Sequence, residues 1–357
     1  MTTLPASASS PTSPAPEPAP TPSGGDAGPP PRRDALQRLA HAAERFALLG
    51  LMVAIALFFA VFPRSSGTFL TAGNINVVTG TQAAVALLAL SALFPLVSGF
   101  FDFSVGATAA TATVLCAGLM SRNHLPLGVA VAACVLLGAL IGAVNGLVVT
   151  RFRMNSFVST LGMATLLGGL IQWYTGGQTI ITGISEKLTD FGSRTLFGLP
   201  EVVYVVLGAV LVAWYLLAHT PYGRALYAIG SNPRSARLVG LRVDRSVWFA
   251  FLIAGSLAGL VGVLQLARTG SATADTGTSL LFPALAAVFL GATTINPGHF
   301  NVFGTIVGVL FVSVSVSGLT LSGASAWASP VFNGAALLAA VGLSTYLGRR
   351  RGTGTMF

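Results

Sequence analysis

Apolar residues in this chain fall in long unbroken runs separated by short polar connections, not in the strict alternation of strands or the narrow stripes of surface helices. Ten such runs stand out: Phe46–Phe62, Gln82–Ser98, Ser104–Met120, Pro126–Val149, Phe157–Trp173, Val202–Ala218, Val247–Leu266, Leu280–Gly291, Val302–Leu319 and Val331–Leu347. A helix needs about 20 apolar residues to cross the hydrocarbon of a bilayer. The eighth run is too short to cross alone, and the second runs into Gly99. The pattern predicts an all-α polytopic membrane protein with about ten transmembrane helices, occupying residues 46–348.

Composition agrees with the pattern. The chain is 53% hydrophobic and 8% charged, with a mean hydropathy of +0.78, against about 25% charged residues in a soluble domain. The formal charge of +9 would suit nucleic acid if the arginines were clustered on a surface, but they sit in the connections between apolar runs. There they act as topology signals, and no nucleic-acid partner is expected. With the N-terminus inside, fourteen of the 19 cations lie on the cytoplasmic side: Arg32, Arg33, Arg38, Arg45, Arg151, Arg153, five in a central loop, and Arg349, Arg350 and Arg351. The other five are Arg64, Arg122, Lys187, Arg194 and Arg268. This asymmetry supports an even number of spans with both termini cytoplasmic.

Residues 1–33 are rich in Pro, Ala, Ser, Thr and Gly and have almost no large apolar side chain. They cannot offset their ordering entropy by burial and are expected to be a disordered tail. Residues 34–45 read as a basic amphipathic lead-in on the cytoplasmic surface, and 349–357 as a basic cytoplasmic end. Cys116 and Cys134 lie inside apolar runs and read as small buried hydrophobes, not as a disulfide or metal pair.

The polar stretch with most local information is Thr220–Ser246, which carries Arg224, Arg234, Arg237, Arg242 and Arg245. It has two sets of helix punctuation. Thr220 can cap a helix that starts at Pro221 and ends at Gly230; Asn232 can cap another from Pro233 that ends at Gly240. A polar cap accepts orphan amide protons, proline at the first position has no amide to orphan, and glycine takes the left-handed turn beyond the end. The spacing puts Arg234 and Arg237 on one face of the second helix, and Ala236 and Val239 on an adjacent one.

This loop, GRALYAIGSNPRSARLVGLRVDR, resembles the cytoplasmic loop of ABC importer permeases of the ribose/monosaccharide type, which reads G-R-x-x-Y-A-x-G-x-N and then G-[IL]-x-V. Phe101-Asp102-Phe103-Ser104-Val105-Gly106 resembles that family's D-[LF]-S-V-G, Gly142–Gly146 its G-A-x-N-G, and Phe157–Gly162 its F-[IV]-x-T-L-G. The resemblance runs from about Gly73 to Gly348. It implies a short coupling helix that docks on a separate ATP-binding subunit, an extracytoplasmic sugar-binding protein, a second permease subunit (identical or not), and residence in the bacterial plasma membrane. It implies coupling roles for Gly223, Arg224, Gly230, Asn232, Pro233, Arg234, Ala236, Arg237, Val239 and Gly240. ATP would be bound by the partner; this chain would be no enzyme and would hold no cofactor or metal. The outside loop Tyr174–Glu201, with mixed charge, would either receive the binding protein or be solvated without a partner.

Two Gly/Pro-rich interruptions suggest an internal repeat: Ser98–Gly106 and Asn296–Gly304. Paired breaks of this kind point to a transport site, although ordinary interfacial turns would look the same. The second departs from the family pattern, with Leu290-Gly291-Ala292-Thr293-Thr294 where L-G-G-[TS]-S is usual. Candidates for the substrate path are Phe101, Asp102, Phe103, Asn145, Phe300 and Asn301. Asn155, Gln172, Gln265 and Asn333 could also face a solute or knit helices together. The spans hold almost no ionisable groups, and no Gly-rich phosphate loop occurs. A neutral polar solute moved by energy from elsewhere fits best. Alternatives are a nucleoside or branched-chain amino acid permease of the same superfamily, and a stand-alone secondary transporter or channel, which would want buried carboxylates or ion sites.

Overall fold

The computed structural model describes residues 33–350, with side chains for 45–342 apart from Thr278. The expected tail before Arg33 and the basic end beyond Arg350 lie outside these residues, as do the side chains of the lead-in, 34–44. The chain divides into two units, Met1–Ala40 and His41–Phe357, and the bundle described below belongs to the second.

The helices in chain order are α1 (Arg33–Val61), α2 (Ala72–Val97), α3 (Ser104–Ser121), α4 (Leu127–Arg151), α5 (Ser156–Thr175), α6 (Glu186–Ser193), α7 (Glu201–Trp214), α8 (Pro221–Ser231), α9 (Pro233–Leu238), α10 (Val243–Thr269), α11 (Thr276–Gly291), α12 (Val302–Leu321) and α13 (Ala328–Arg350). A π-helical turn, Tyr215–His219, extends α7, and strands β1 (Thr195–Leu196) and β2 (Leu199–Pro200) form a small hairpin before it. The all-α polytopic architecture stands. Among the described residues, seven helices are long and apolar enough to cross a membrane: α2, α3, α4, α5, α7 with its π turn, α10 and α12. Arg45–Val61, Ser279–Gly291 and Ala328–Gly342 are shorter apolar stretches.

α2 is the axis of the bundle. Every residue from Ala83 to Val97 is buried, which is what a helix apolar on all faces requires. Lipid is as apolar as leucine, so close packing and hydrogen bonds, more than hydrophobic burial, hold helices together in a bilayer. Both are present. Ser91 Oγ donates to the Ala254 carbonyl at 2.7 Å, tying α2 to α10. Thr113 Oγ1 donates to the Gly262 carbonyl at 3.1 Å, tying α3 to α10. Bonds of this kind contribute about 0.6 kcal/mol each in membrane bundles. α4 lies against α10 along a glycine seam: a methyl at Gly138 would collide with the Gly255 carbonyl, and one at Gly142 with that of Phe251. Cys116 and Cys134 are buried and free, as the sequence suggested.

The loop between α5 and α7 is built, not slack. α6 packs Leu188 inward, Gly192 rests on the Ala267 carbonyl, and Arg268 Nη1 donates to the Gly192 carbonyl at 2.6 Å. In the hairpin, Phe197 and Gly198 both take positive φ (48° and 83°), as a two-residue turn between right-twisted strands demands.

Candidate functional site

Two irregular segments interrupt the bundle at one end, where the sequence places its breaks. The first, between α2 and α3, is held by side chains of neighbouring helices. Ser156 Oγ accepts from the Phe101 amide at 3.2 Å, and Thr160 Oγ1 from the Phe103 amide at 3.0 Å, so the start of α5 satisfies backbone donors that the break leaves free. Asp102 is buried and accepts from the Ser104 amide (2.9 Å) and hydroxyl (2.6 Å); Asn145 Nδ2 then donates to Ser104 Oγ at 2.7 Å. Burial pushes the Asp102 carboxyl up to about 6, while the two bonds from Ser104 pull it down.

The second break, between α11 and α12, is organised by Asn301. Its Oδ1 accepts from the Gly304 amide at 2.6 Å, capping α12, and its Nδ2 donates to the carbonyls of His299 (3.1 Å) and Thr294 (3.3 Å). Thr294 Oγ1 and the Ile295 amide both donate to the Arg45 carbonyl, at 2.7 and 3.1 Å, which anchors the break to α1. Phe289 joins the two breaks: its ring lies 6.0 Å from Phe101 and 5.5 Å from Phe300. Phe103 continues the chain to Phe157 on α5, 4.9 Å away. The structure thus gathers Phe101, Phe103 and Phe300 into one aromatic bridge. Asp102 and Asn145 form a separate polar pair through Ser104. The described hydrogen bonds of Asp102, Asn145 and Asn301 hold the breaks in shape. A cavity of about 540 Å³ lies beside the second break, lined by Tyr227, Asn296, Pro297, His299, Phe300 and Asn301.

α8 spans both breaks. Thr220 Oγ1 accepts from the Gly223 amide at 3.2 Å, and Pro221 follows as the first helical residue. Gly223, Tyr227 and Gly230 are spaced to share one face. Gly223 rests on the carbonyls of the π turn at Leu216 and Leu217. Tyr227 Oη donates to the Phe300 carbonyl at 2.9 Å, and Gly230 rests on the Val97 carbonyl at the end of α2. The sequence reading of Gly230 is corrected here: the helix continues to Ser231, and Gly230 is needed for close approach, not for a left-handed turn. Tyr227 was missed as a contact, though it is the Tyr of the G-R-x-x-Y-A pattern. Burial raises its phenol, which keeps it a neutral donor.

α9 follows directly. Asn232 Oδ1 accepts from the amides of Arg234 and Ser235, both at 3.0 Å, and Pro233 is the first residue. Gly240 has φ +84°, the left-handed turn its position requires. Two expectations fail. Val239 caps the helix instead of lying within it. Ala236 is buried in this chain's own core with Val149, Ile229, Val243, Val247 and Phe251, so it cannot enter a groove of another protein. Every other residue of α9 and its cap is exposed, Leu238 (88%) and Val239 (77%) most prominently among the apolar ones. Arg237 Nη2 turns aside to Asp244 Oδ1 at 2.9 Å, and Arg153 Nη2 meets Asp244 Oδ2 at 3.3 Å. Arg224 is exposed on α8.

Of the other polar candidates, Asn155 caps α5 by accepting from the Val158 amide at 3.2 Å. Asn333 is buried with Oδ1 unpartnered, and Gln265 is half-buried. Gln172 is exposed on α5 in line with Gly162, Thr165 and Gly169. Among the seven helices long and apolar enough to cross a membrane, α5 is both the least buried and the least apolar. Its low hydropathy, not any motif, was the sequence signal for an unpartnered face. Among the described residues no cluster of His, Cys, Asp or Glu could hold a metal ion.

With this geometry in place, comparison with known proteins gives a consistent answer. Residues 74–341 match the family described as branched-chain amino acid transport system / permease component. The ribose import permease protein of Escherichia coli strain K12 is 34% identical over 302 residues, covering 84% of this chain and 92% of the relative. The ribose import permease protein of Bacillus subtilis strain 168 is 33% identical, covering 82% and 90%. An autoinducer 2 import system permease protein of Photorhabdus laumondii is 31% identical, covering 83% and 89%. No solved structure matches. The chain belongs to the family of branched-chain amino acid transport system permease components.

Proposed function

We propose that this protein is the membrane-spanning permease subunit of an ATP-driven ABC importer, and that it moves a monosaccharide or similar small polar solute delivered by a binding protein. The observation that carries the coupling part of this reading is α8: one short helix of the central loop touches both breaks, through Tyr227–Phe300 and Gly230–Val97. A push on that loop would reach both breaks at once. ATP would be bound and hydrolysed by a separate subunit docked on Leu238, Val239 and Arg234, and the loop would be cytoplasmic in a bacterial plasma membrane. The chain would cross ten times, with the three shorter apolar stretches as members of the bundle and both termini inside.

The exposed face of α5, with Gly162, Thr165, Gly169 and Gln172, suits a pathway closed by a second permease subunit. It offers hydroxyl and amide groups without charge, which matches a neutral polyol better than an ion. The similarity to ribose and autoinducer 2 import permeases supports a sugar; the family's description favours a branched-chain amino acid as the second reading.

The test is reconstitution with the ATP-binding subunit and binding protein in proteoliposomes. ATP-dependent uptake of ribose, or of another sugar held by the binding protein, is expected. Uptake of leucine instead would move the assignment to the second reading, and uptake without any ATPase would overturn both. Ser235→Cys in a background lacking Cys116 and Cys134 should react with an impermeant thiol reagent only in inverted vesicles. Labelling from outside intact cells would reverse the topology.

A further inference from the structure

The glycine seam between α4 and α10 ends at Gly146, which lies under Trp248. Beyond it the side chains are large and charged. Leu147, Thr150 and Arg151 of α4 face Asp244, Arg245 and Trp248 of α10 across a cleft of about 330 Å³. Trp248 is fixed, its indole N–H donating to the Ala143 carbonyl at 3.0 Å. Leu147 is half exposed beside it. Both helices are long and apolar enough to cross a membrane. A cleft between their ends, with an indole and a leucine in its wall, has the composition of a bilayer interface.

Its charge is unbalanced. Asp244 is the only acid lining the cleft, and both of its oxygens are engaged from outside it, by Arg237 and Arg153. Arg151 and Arg245 have no acidic partner among the described residues; the Arg245 guanidinium lies 5.7 Å over the Phe249 ring. Two guanidinium groups beside Leu147 and Trp248, with the Asp244 carboxylate already engaged by Arg237 and Arg153, suit a phosphodiester with hydrocarbon attached. A free inorganic anion would gain nothing from Leu147 and Trp248.

We propose that this cleft binds the headgroup of an anionic phospholipid, with Arg151 and Arg245 on its phosphate and Leu147 and Trp248 against the upper acyl chains. The site is independent of which solute the protein moves.

The experiment places the full chain in nanodiscs of phosphatidylcholine doped with phosphatidylglycerol and counts retained lipid by native mass spectrometry. Wild type should retain phosphatidylglycerol in preference. Arg151→Gln with Arg245→Gln should cut that retention about tenfold, and Arg234→Gln, an exposed arginine at the same end of the bundle, should leave it unchanged. Arg151→Lys with Arg245→Lys keeps the charge and should keep the lipid even if the Gln pair folds poorly. Leu147→Ser should lower lipid retention without changing binding of inorganic phosphate. Equal retention by wild type and the Gln pair overturns the proposal, as does loss of lipid in a folded Lys pair. Displacement of the lipid by millimolar inorganic phosphate, with Leu147→Ser silent, would make this a free-anion site. Loss of a docked ATP-binding subunit in the Gln pair, with lipid unchanged, would give the cleft to protein docking.

Discussion

α8 and α9 open with the same chemistry, a polar cap followed by proline, and meet opposite surroundings. α8 buries Gly223, Leu226 and Ile229 and lies against the π turn and both breaks. α9 buries Ala236 alone and turns Leu238 and Val239 outward. Side chains on α8 are therefore limited by backbone that cannot move away, and those on α9 face outward. Under the proposed function this divides the labour: α9 would receive the ATP-binding subunit and α8 would transmit its movement. Substitutions should sort by helix, with stability and transport falling together on α8, and transport alone on the outer face of α9.

The largest effect is expected at Gly230. A valine there would press on the Val97 carbonyl, which belongs to the central helix and has nowhere to go. Overpacking of this kind costs about 1–3 kcal/mol. Gly230→Val should lower the thermal midpoint of the purified protein and abolish uptake. An unchanged midpoint would mean that α8 is not seated on α2.

Next is the outer face of α9. Leu238→Ser with Val239→Ser removes exposed apolar groups, and such surface changes usually stay within about 0.5 kcal/mol of wild-type stability. The pair should melt as wild type yet fail to co-purify with the ATP-binding subunit. Normal co-purification would put docking elsewhere. Ala236→Glu cannot serve this purpose, because it would drive a charge among Val149, Ile229 and Phe251.

How much of this was readable beforehand follows from how local each cause is. Thr220–Pro221, Asn232–Pro233 and Gly240 were legible because caps, missing amides and a positive φ are settled within a few residues. Gly230 was misread because a glycine needed for a turn and one needed for close approach look alike, and only the Val97 carbonyl decides between them. Ala236 and Val239 could not be ranked, since what covers Ala236 comes from α4, α8 and α10. Both breaks were visible as Gly/Pro interruptions. Their union through Phe289 was not, because Phe101 and Phe300 lie nearly two hundred positions apart in the chain.

A smaller effect isolates transmission itself. Tyr227→Phe keeps the ring and removes one hydrogen bond to the Phe300 carbonyl, a loss of about 1 kcal/mol. The ATP-binding subunit should still bind, but stimulation of its ATPase by the loaded binding protein should weaken, and uptake should fall further than ATPase does. Parallel loss of docking would make Tyr227 a structural residue only.

The smallest effect tests whether the arginines of α9 act by charge or by position. Arg237 is spent on Asp244, which also holds Arg153, and all three side chains are about half exposed. Exposed pairs of this kind contribute about 0–1 kcal/mol. Arg237→Gln should therefore shift the thermal midpoint little and reduce uptake slightly, by loosening the tie between α9 and the start of α10. Arg234 has no acidic partner among the described residues and is exposed. If it meets an acidic rim on the ATP-binding subunit, Arg234→Gln should weaken docking more than Arg237→Gln, and the difference should shrink as salt is raised. Equal effects at all ionic strengths would mean that neither arginine addresses the partner, and that the five arginines of the loop serve orientation in the membrane alone.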